Sequence, residues 1–245
     1  MSDTKKVAFI TGGNRGIGLQ TARELGALGY TVVLGVRDPN KGEAAIAELR
    51  GAGVHAELVH YDAAKPATDA GVAQYLAQRF GHLDVLVNNA GVLKEPLFGN
   101  SAATIDQDSL RETFETNVFA VVRLTQTLLP LIKQAPAGRI VNLSSILASL
   151  GTHAAENSPI AGVKAFAYNA SKVALNAFTV HLAAELAGTP IKVNSAHPGW
   201  VKTALGGPQA PMEIGDSAKT SVWLATLPAD GPTGGFFHER APLPW

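Results

Sequence analysis

Short, largely apolar runs alternate with longer stretches of helical periodicity along most of this chain, and that alternation narrows the possible folds more than any other feature. Val7 to Ile10, Thr31 to Val36, Ala56 to His60, Val85 to Val87, Ile140 to Leu143 and Ile191 to Ala196 read as strands. Their near-continuous apolar character is that of strands covered on both faces, as in a parallel sheet. Helical patterns lie between them at about Ile17 to Leu28, Lys41 to Arg50, Thr68 to Phe80, Ser109 to Lys133 and Tyr168 to Ala187. Parallel neighbours need a crossover, and a helix supplies it, so the pattern implies βαβ units in one doubly wound α/β domain with helices on both faces. Asn40 and Glu43 have capping-pair spacing, with Asp38-Pro39 setting the turn before them. From Gly199 onward the chain is richer in Pro and Gly, yet Ile214 to Leu227 keeps a helical pattern. This end is expected to form a substrate-side flap, at about 199–213, then a last helix and strand.

With 245 residues, 46% hydrophobic and 16% charged, the chain is long enough for one large core. Twenty basic and twenty acidic residues leave zero formal net charge, so no nucleic-acid groove or anionic membrane surface is expected, and a small molecule is the default partner. The absence of cysteine excludes disulfides, thiolate metal sites and a cysteine nucleophile, and fits a reducing compartment. Lys5 and Lys6 precede an apolar run too short for a secretory core or a membrane span. A cytoplasmic protein is expected. No histidine and carboxylate grouping has metal-ligand spacing, so no metal is expected.

The first strand runs into Thr11-Gly12-Gly13-Asn14-Arg15-Gly16-Ile17-Gly18 and then an amphipathic helix. Glycines here allow a tight turn and close approach of a pyrophosphate to free N–H groups at the helix start. Taken alone, the turn is equally a strand-to-helix connection without a ligand. The spacing Gly12, Gly16, Gly18 resembles the TGxxxGIG signature of short-chain dehydrogenases. That family implies a Rossmann domain over residues 1–245, with a mostly parallel seven-stranded sheet in the order 3-2-1-4-5-6-7.

The second strand ends Gly35-Val36-Arg37, where an acid would accept the adenosine ribose hydroxyls. Val36 offers no carboxylate, whereas Arg37 and Arg15 suit a ribose 2′-phosphate, so NADPH/NADP+ is the expected cofactor. Asp38 is the competing ribose acid, and it is read as the turn residue before Pro39. By resemblance Asp62, after the third strand, contacts adenine, and Asn88-Asn89-Ala90-Gly91 matches the NNAG motif. Each is also an ordinary turn former. Asn14, Ile17, Asn89, Ala90 and Gly91 complete the expected cofactor contacts with Pro198, Gly199, Val201 and Thr203, whose PG motif implies a hold on the nicotinamide carboxamide.

Tyr168 and Lys172 stand four apart in Tyr168-Asn169-Ala170-Ser171-Lys172, so on a helix they share a face. A nearby ammonium favours a phenolate and is expected to bring the tyrosine down from its usual value near 10. This is the family's YxxxK pair, with both residues also expected to touch the cofactor. Asn142-Leu143-Ser144-Ser145 resembles its N-x-S-S run, and by resemblance Ser145, rather than Ser144, polarises the substrate carbonyl beside Tyr168. Asn117, on or near the apolar face of the long helix, is either a structural amide or, by resemblance, the asparagine that holds a water linking the lysine to solvent. Asn117, Ser145, Tyr168 and Lys172 form the expected catalytic tetrad.

The TGGNRGIG turn, Arg37, the HPGWVKT segment and the Pro/Gly-rich ending look closest to NADPH-dependent carbonyl reductases. Twenty-two residues separate Ser145 from Tyr168, about ten more than in short family members, so an insertion at about 150–167 is expected beside the site. Since many relatives dimerise through helices nearby, a monomer is favoured over a homodimer. Leu93, Phe98, Ile146, Leu147, Trp200 and Leu205 are candidate linings for a hydrophobic ketone or aldehyde. His153 and His197 receive no catalytic role. Two other readings stay open: an NAD-linked alcohol dehydrogenase, and an NADP-binding regulator without catalysis.

Overall fold

The computed structural model describes residues 5–245. One sheet runs in the order β3-β2-β1-β4-β5-β6-β7-β8. Its strands are β1 (Val7–Thr11), β2 (Thr31–Val36), β3 (Ala56–His60), β4 (Val85–Asn88), β5 (Arg139–Leu143), β6 (Lys192–Ala196), β7 (Phe236–His238) and β8 (Ala241–Pro242). The first seven pair in parallel, as expected, and β8 adds an antiparallel edge. Glu239 and Arg240 join β7 to β8 with φ of 45° and 74°, the left-handed pair of a tight hairpin turn.

The helices are α1 (Gly16–Ala27), α2 (Pro39–Gly51), α3 (Ala67–Arg79), α4 (Gln107–Phe114), α5 (Ala120–Ile132), α6 (Leu150–Ala154), α7 (Phe166–Glu185) and α8 (Lys219–Ala225). They cover the two faces in sets. Ala8 and Ile10 of β1 pack with Leu25 of α1, Ile46 of α2 and Leu224 of α8, while Val7 and Phe9 face Leu76 of α3, Leu128 of α5 and Leu182 of α7. Alternate side chains thus enter different cores, which is why the strands are apolar on both faces.

Three local expectations are corrected. Helix α2 is capped by Asp38, whose carboxylate accepts from Asn40 N at 3.1 Å, with Pro39 in the first turn; the Asn40/Glu43 pair is therefore not the cap. The single helix expected over Ser109–Lys133 is interrupted by a π-helical turn at Glu115–Phe119, which joins α4 to α5. The buried positions Thr113, Asn117, Val121, Leu124 and Leu128 keep a spacing of three to four across this turn, so the sequence pattern does not reveal it. Likewise Ile214–Leu227 is a 3₁₀ turn at Ile214–Asp216 followed by the short α8.

At the opposite end of the sheet from the glycine turn, Arg139 is buried and, among the described residues, has no carboxylate partner. Its guanidinium donates to the carbonyls of Leu227 (2.6 Å), Pro228 (3.2 Å), Gly138 (2.8 Å) and Pro190 (3.0 Å), and burial pushes its pKa down. It ties the start of β5 to the connections before β6 and after α8. Arg139→Met keeps the stem but orphans these carbonyls, so urea denaturation should report a loss of about 3 kcal/mol. An unchanged midpoint would contradict this role.

Candidate active site

The carboxyl ends of β1, β4, β5 and β6 open on a cleft of about 1830 Å³. Ligands lie at such strand ends in open α/β sheets. Among the residues expected to bind or react, Gly12, Asn14, Arg15, Gly16, Ile17, Gly18, Arg37, Asp62, Asn89, Ala90, Gly91, Ser145, Tyr168, Lys172, Pro198, Gly199, Val201 and Thr203 all line it. Asn117 does not reach the cleft surface.

At one end the β1–α1 turn uses φ of +65° at Gly12 and +54° at Gly16, left-handed values that favour glycine. Gly18 is required by packing: a Cβ there would lie 2.5 Å from Asn89 Nδ2 and 2.7 Å from Gly12 O. Asn89 Nδ2 donates to Thr11 O at 2.7 Å, and the amides of Asn89 and Ala90 donate to Thr11 Oγ1 at 3.0 and 2.9 Å. The NNAG segment therefore closes the floor of the cleft by tying the end of β4 to the end of β1. Among the described residues no side chain caps α1, so its first amides remain available to an anion. Arg15 and Arg37 are exposed at the cleft and, among the described residues, join no ion pair. Uncapped amides beside two unpaired guanidiniums fit a phosphate-bearing dinucleotide. By contrast, Asp38 is engaged as the α2 cap and lies 3.7 Å from Lys41. Asp62 acts locally as a turn former, its Oδ1 accepting from Ala64 N at 3.1 Å, and the residue also lines the cleft.

At the other end α7 presents Tyr168 and Lys172 one turn apart. Lys172 is buried and donates to Leu143 O, at the end of β5, at 2.7 Å. Its ammonium also lies 5.7 Å from the centre of the Tyr168 ring. Burial brings Lys172 down to about 8 and pushes Tyr168 up to about 12, with the Ser145 hydroxyl pulling the phenol back. The expectation that the lysine brings the tyrosine below its usual value is thus corrected: desolvation outweighs every other influence on the phenol. Ser145 caps the short turn Ile146–Ala148 by accepting from Leu147 N at 3.2 Å, which leaves its own hydrogen free to donate.

Asn117 sits within the π-helical turn, fully buried. Its Oδ1 accepts from Val92 N at 2.8 Å, and its Nδ2 donates to Val92 O at 2.9 Å and to Ser171 Oγ at 3.0 Å. The side chain thus pins the segment after β4 to α7. A Cβ at Gly91 would meet Asn117 Oδ1 at a tight 3.3 Å and Lys172 Nζ at an ordinary 3.5 Å, so a side chain there would press on the Asn117 amide. Leu143 and Val92 contribute through main-chain atoms, which no residue pattern displays. Ser171 stood one helical turn from Tyr168 and was legible in principle from that spacing.

Pro159, Ile160, Gly162 and Val163 of the 150–167 segment line the cleft, as do Trp200 and Leu205 in the segment after β6. A bridge from Val201 to Met212 closes that segment on itself. Phe98, Ile146 and Leu147 also line the cleft, whereas Leu93 does not line it and packs, half-buried, against the cluster that contains Tyr168. His197 is neutral, held down near 3 by burial and by His238, and its Nδ1 accepts from Gly199 N at 3.4 Å. His153 contacts Leu147 O at 3.1 Å. No helix is long and apolar enough to cross a membrane among the described residues.

The short chain dehydrogenase family model matches residues 6–213. Carbonyl reductase [NADPH] 1 of Mus musculus is 31% identical, the match covering 100% of each chain, and its Homo sapiens counterpart is 32% identical over the same shares. NADPH-bound carbonyl reductase from chicken fatty liver superposes with a TM-score of 0.85 at 26% identity, covering 99% of each chain. Salutaridine reductase from Papaver somniferum superposes with a TM-score of 0.83 at 27% identity, covering 95% of this chain and 99% of that one.

Because Lys172 titrates near 8 in the fold against an ordinary 10.5, the unfolded chain binds more protons between these values. Stability should therefore rise with pH across that window, by up to about 3 kcal/mol, and Lys172→Met should remove the rise. The raised Tyr168 acts oppositely at higher pH, adding stability that is lost between 10 and about 12. Urea midpoints across the lysine window test this, and identical slopes for wild type and Lys172→Met would contradict it.

Proposed function

The chain belongs to the short-chain dehydrogenase family, and from that premise we propose that it is an NADPH-dependent carbonyl reductase converting a hydrophobic ketone or aldehyde to an alcohol. The observation that carries the reading is the convergence of Tyr168, Lys172 and Ser145 at one end of a cleft whose other end holds unpaired Arg15 and Arg37. When bound, the reduced nicotinamide supplies a hydride to the carbonyl carbon. Ser145, with its hydrogen free, donates to the carbonyl oxygen and orients it. Tyr168, kept protonated by burial, gives its proton to the same oxygen as negative charge develops. Lys172 places positive charge beside the phenol when the proton leaves, and Asn117 holds Val92 and Ser171 in place behind it.

Arg37 and Arg15 hold the ribose 2′-phosphate, the α1 amides and the glycine turn hold the pyrophosphate, and Asp62 takes the adenine side. Asn14, Ile17, Asn89, Ala90, Gly91 and the Pro198 to Thr203 segment complete the contacts. Carbonyl reductases matching at full length support NADPH, and the use of Asp38 as a helix cap counts against the NAD-linked alternative. A complete set of reacting groups counts against a regulator without catalysis. We read residues 199–213 as the substrate flap and 150–167 as the insertion of one Rossmann-type unit. The position of that insertion supports a monomer, and the lack of cysteine supports a cytoplasmic location.

Tyr168→Phe should lower kcat by about 10²- to 10⁴-fold with the Kd for NADPH unchanged, measured on a panel of aryl ketones, α-keto esters, quinones and aldehydes. An active Phe variant would overturn the proton-donor role. Arg37→Asp should shift the NADPH-over-NADH ratio of kcat/KM toward NADH by about 10- to 100-fold. No shift would remove the 2′-phosphate assignment.

A further inference from the structure

Helix α7 starts without a cap of its own. Ala165 at its N-cap has no accepting side chain, and its first turn holds no acidic residue. The amide of Tyr168, third in the helix, therefore has no partner within it. That amide donates instead to Glu95 Oε1 at 3.0 Å, from a carboxylate 73 positions earlier in the chain, on the loop after β4. Glu95 is only 8% exposed, and its Oε2 meets no protein donor among the described residues. Burying a carboxylate against one amide is expensive, although the positive end of a helix is where such a charge is best tolerated.

The loop that carries Glu95 also builds the substrate end of the cleft. Lys94, Leu97 and Phe98 line it, while Leu93 and Leu97 pack against the cluster that contains Leu147, Ile160 and Tyr168. A second tie runs from Lys164 N to Leu97 O at 3.0 Å. Glu95 itself does not line the cleft, so no substrate contact accounts for it.

We propose that Glu95 is a positioning residue, whose carboxylate fixes the backbone of Tyr168 and couples the 93–98 wall to the proton donor. The catalytic part of this inference rests on the carbonyl-reductase reading; the coupling does not. A displacement of about 1 Å at a reacting group is enough to lower turnover about 100-fold, so a bond at the residue that carries the phenol has a direct route to the rate.

The test compares Glu95→Gln, which keeps an acceptor, with Glu95→Leu, which removes it at similar size. Three readouts apply: amide hydrogen exchange at 166–169 and 93–98, the Kd for NADPH, and kcat on the carbonyl panel. In Glu95→Leu both segments should exchange faster and kcat should fall about 10- to 100-fold with unchanged Kd. In Glu95→Gln, protection and kcat should stay within about threefold of wild type. Wild-type kcat in Glu95→Leu, unchanged protection, or equal impairment in both variants would overturn the proposal. Should Glu95→Leu not fold, Glu95→Asp, one methylene short of the amide, takes its place. A wild-type chain without turnover would sink the reductase reading, while the exchange arm still decides whether Glu95 holds Tyr168.

Discussion

The ammonium of Lys172 is enclosed by protein and donates to the carbonyl of Leu143 at 2.7 Å, so helix α7 is bound to the last residue of β5. A buried ammonium needs a strong acceptor, and among the described residues this main-chain oxygen supplies it. Its neighbours follow from it. Ser145 lies two residues beyond Leu143, and Tyr168 lies one turn before Lys172, so a single bond sets the serine hydroxyl against the phenol. Burial then keeps the phenol protonated and brings the lysine near 8, within reach of neutral pH.

Beneath the site a buried polar chain keeps the strand ends in register. Asn88 Nδ2 of β4 donates to Asn142 Oδ1 of β5 at 2.8 Å, Asn142 Nδ2 donates to Thr179 Oγ1 of α7 at 2.8 Å, and Thr179 meets Ser195 Oγ of β6 at 2.8 Å. Asn88 Nδ2 also reaches Thr125 Oγ1 and Thr179 Oγ1 also reaches Leu175 O, so the buried network as a whole favours one mutual placement of β4, β5, β6 and α7. On the cofactor side the tie between Asn89 and Thr11 does the same for β4 and β1.

Much of this was legible in the residues. Runs such as Thr31 to Val36 are apolar at every position because alternate side chains enter two cores, and that signal survives without any tertiary knowledge. Most of the motif residues at strand ends reach the cleft, since strand ends of a parallel sheet share one edge, whereas Asn88 and Asn142 lie beneath it and Asn117 sits behind it in the π-helical turn. What stayed hidden was what other chain segments impose. The π-helical turn at Asn117 leaves no mark on periodicity, and the Asp38 cap was obscured by the plausible spacing of Asn40 and Glu43. The upward shift of Tyr168 depends on how completely it is enclosed, which spacing to Lys172 does not encode. Main-chain acceptors such as Leu143 O are invisible for the same reason.

Hydride transfer to a carbonyl carbon is the proposed use of these groups. NADPH carrying deuterium at C4, incubated with the protein and a ketone from the panel, tests it most directly by mass spectrometry of the product. The expected product is an alcohol with one deuterium at the carbinol carbon for each nicotinamide oxidised. Nicotinamide oxidation that leaves the carbonyl unreduced, or an alcohol without deuterium at that carbon when every C4 hydrogen is deuterium, would contradict it.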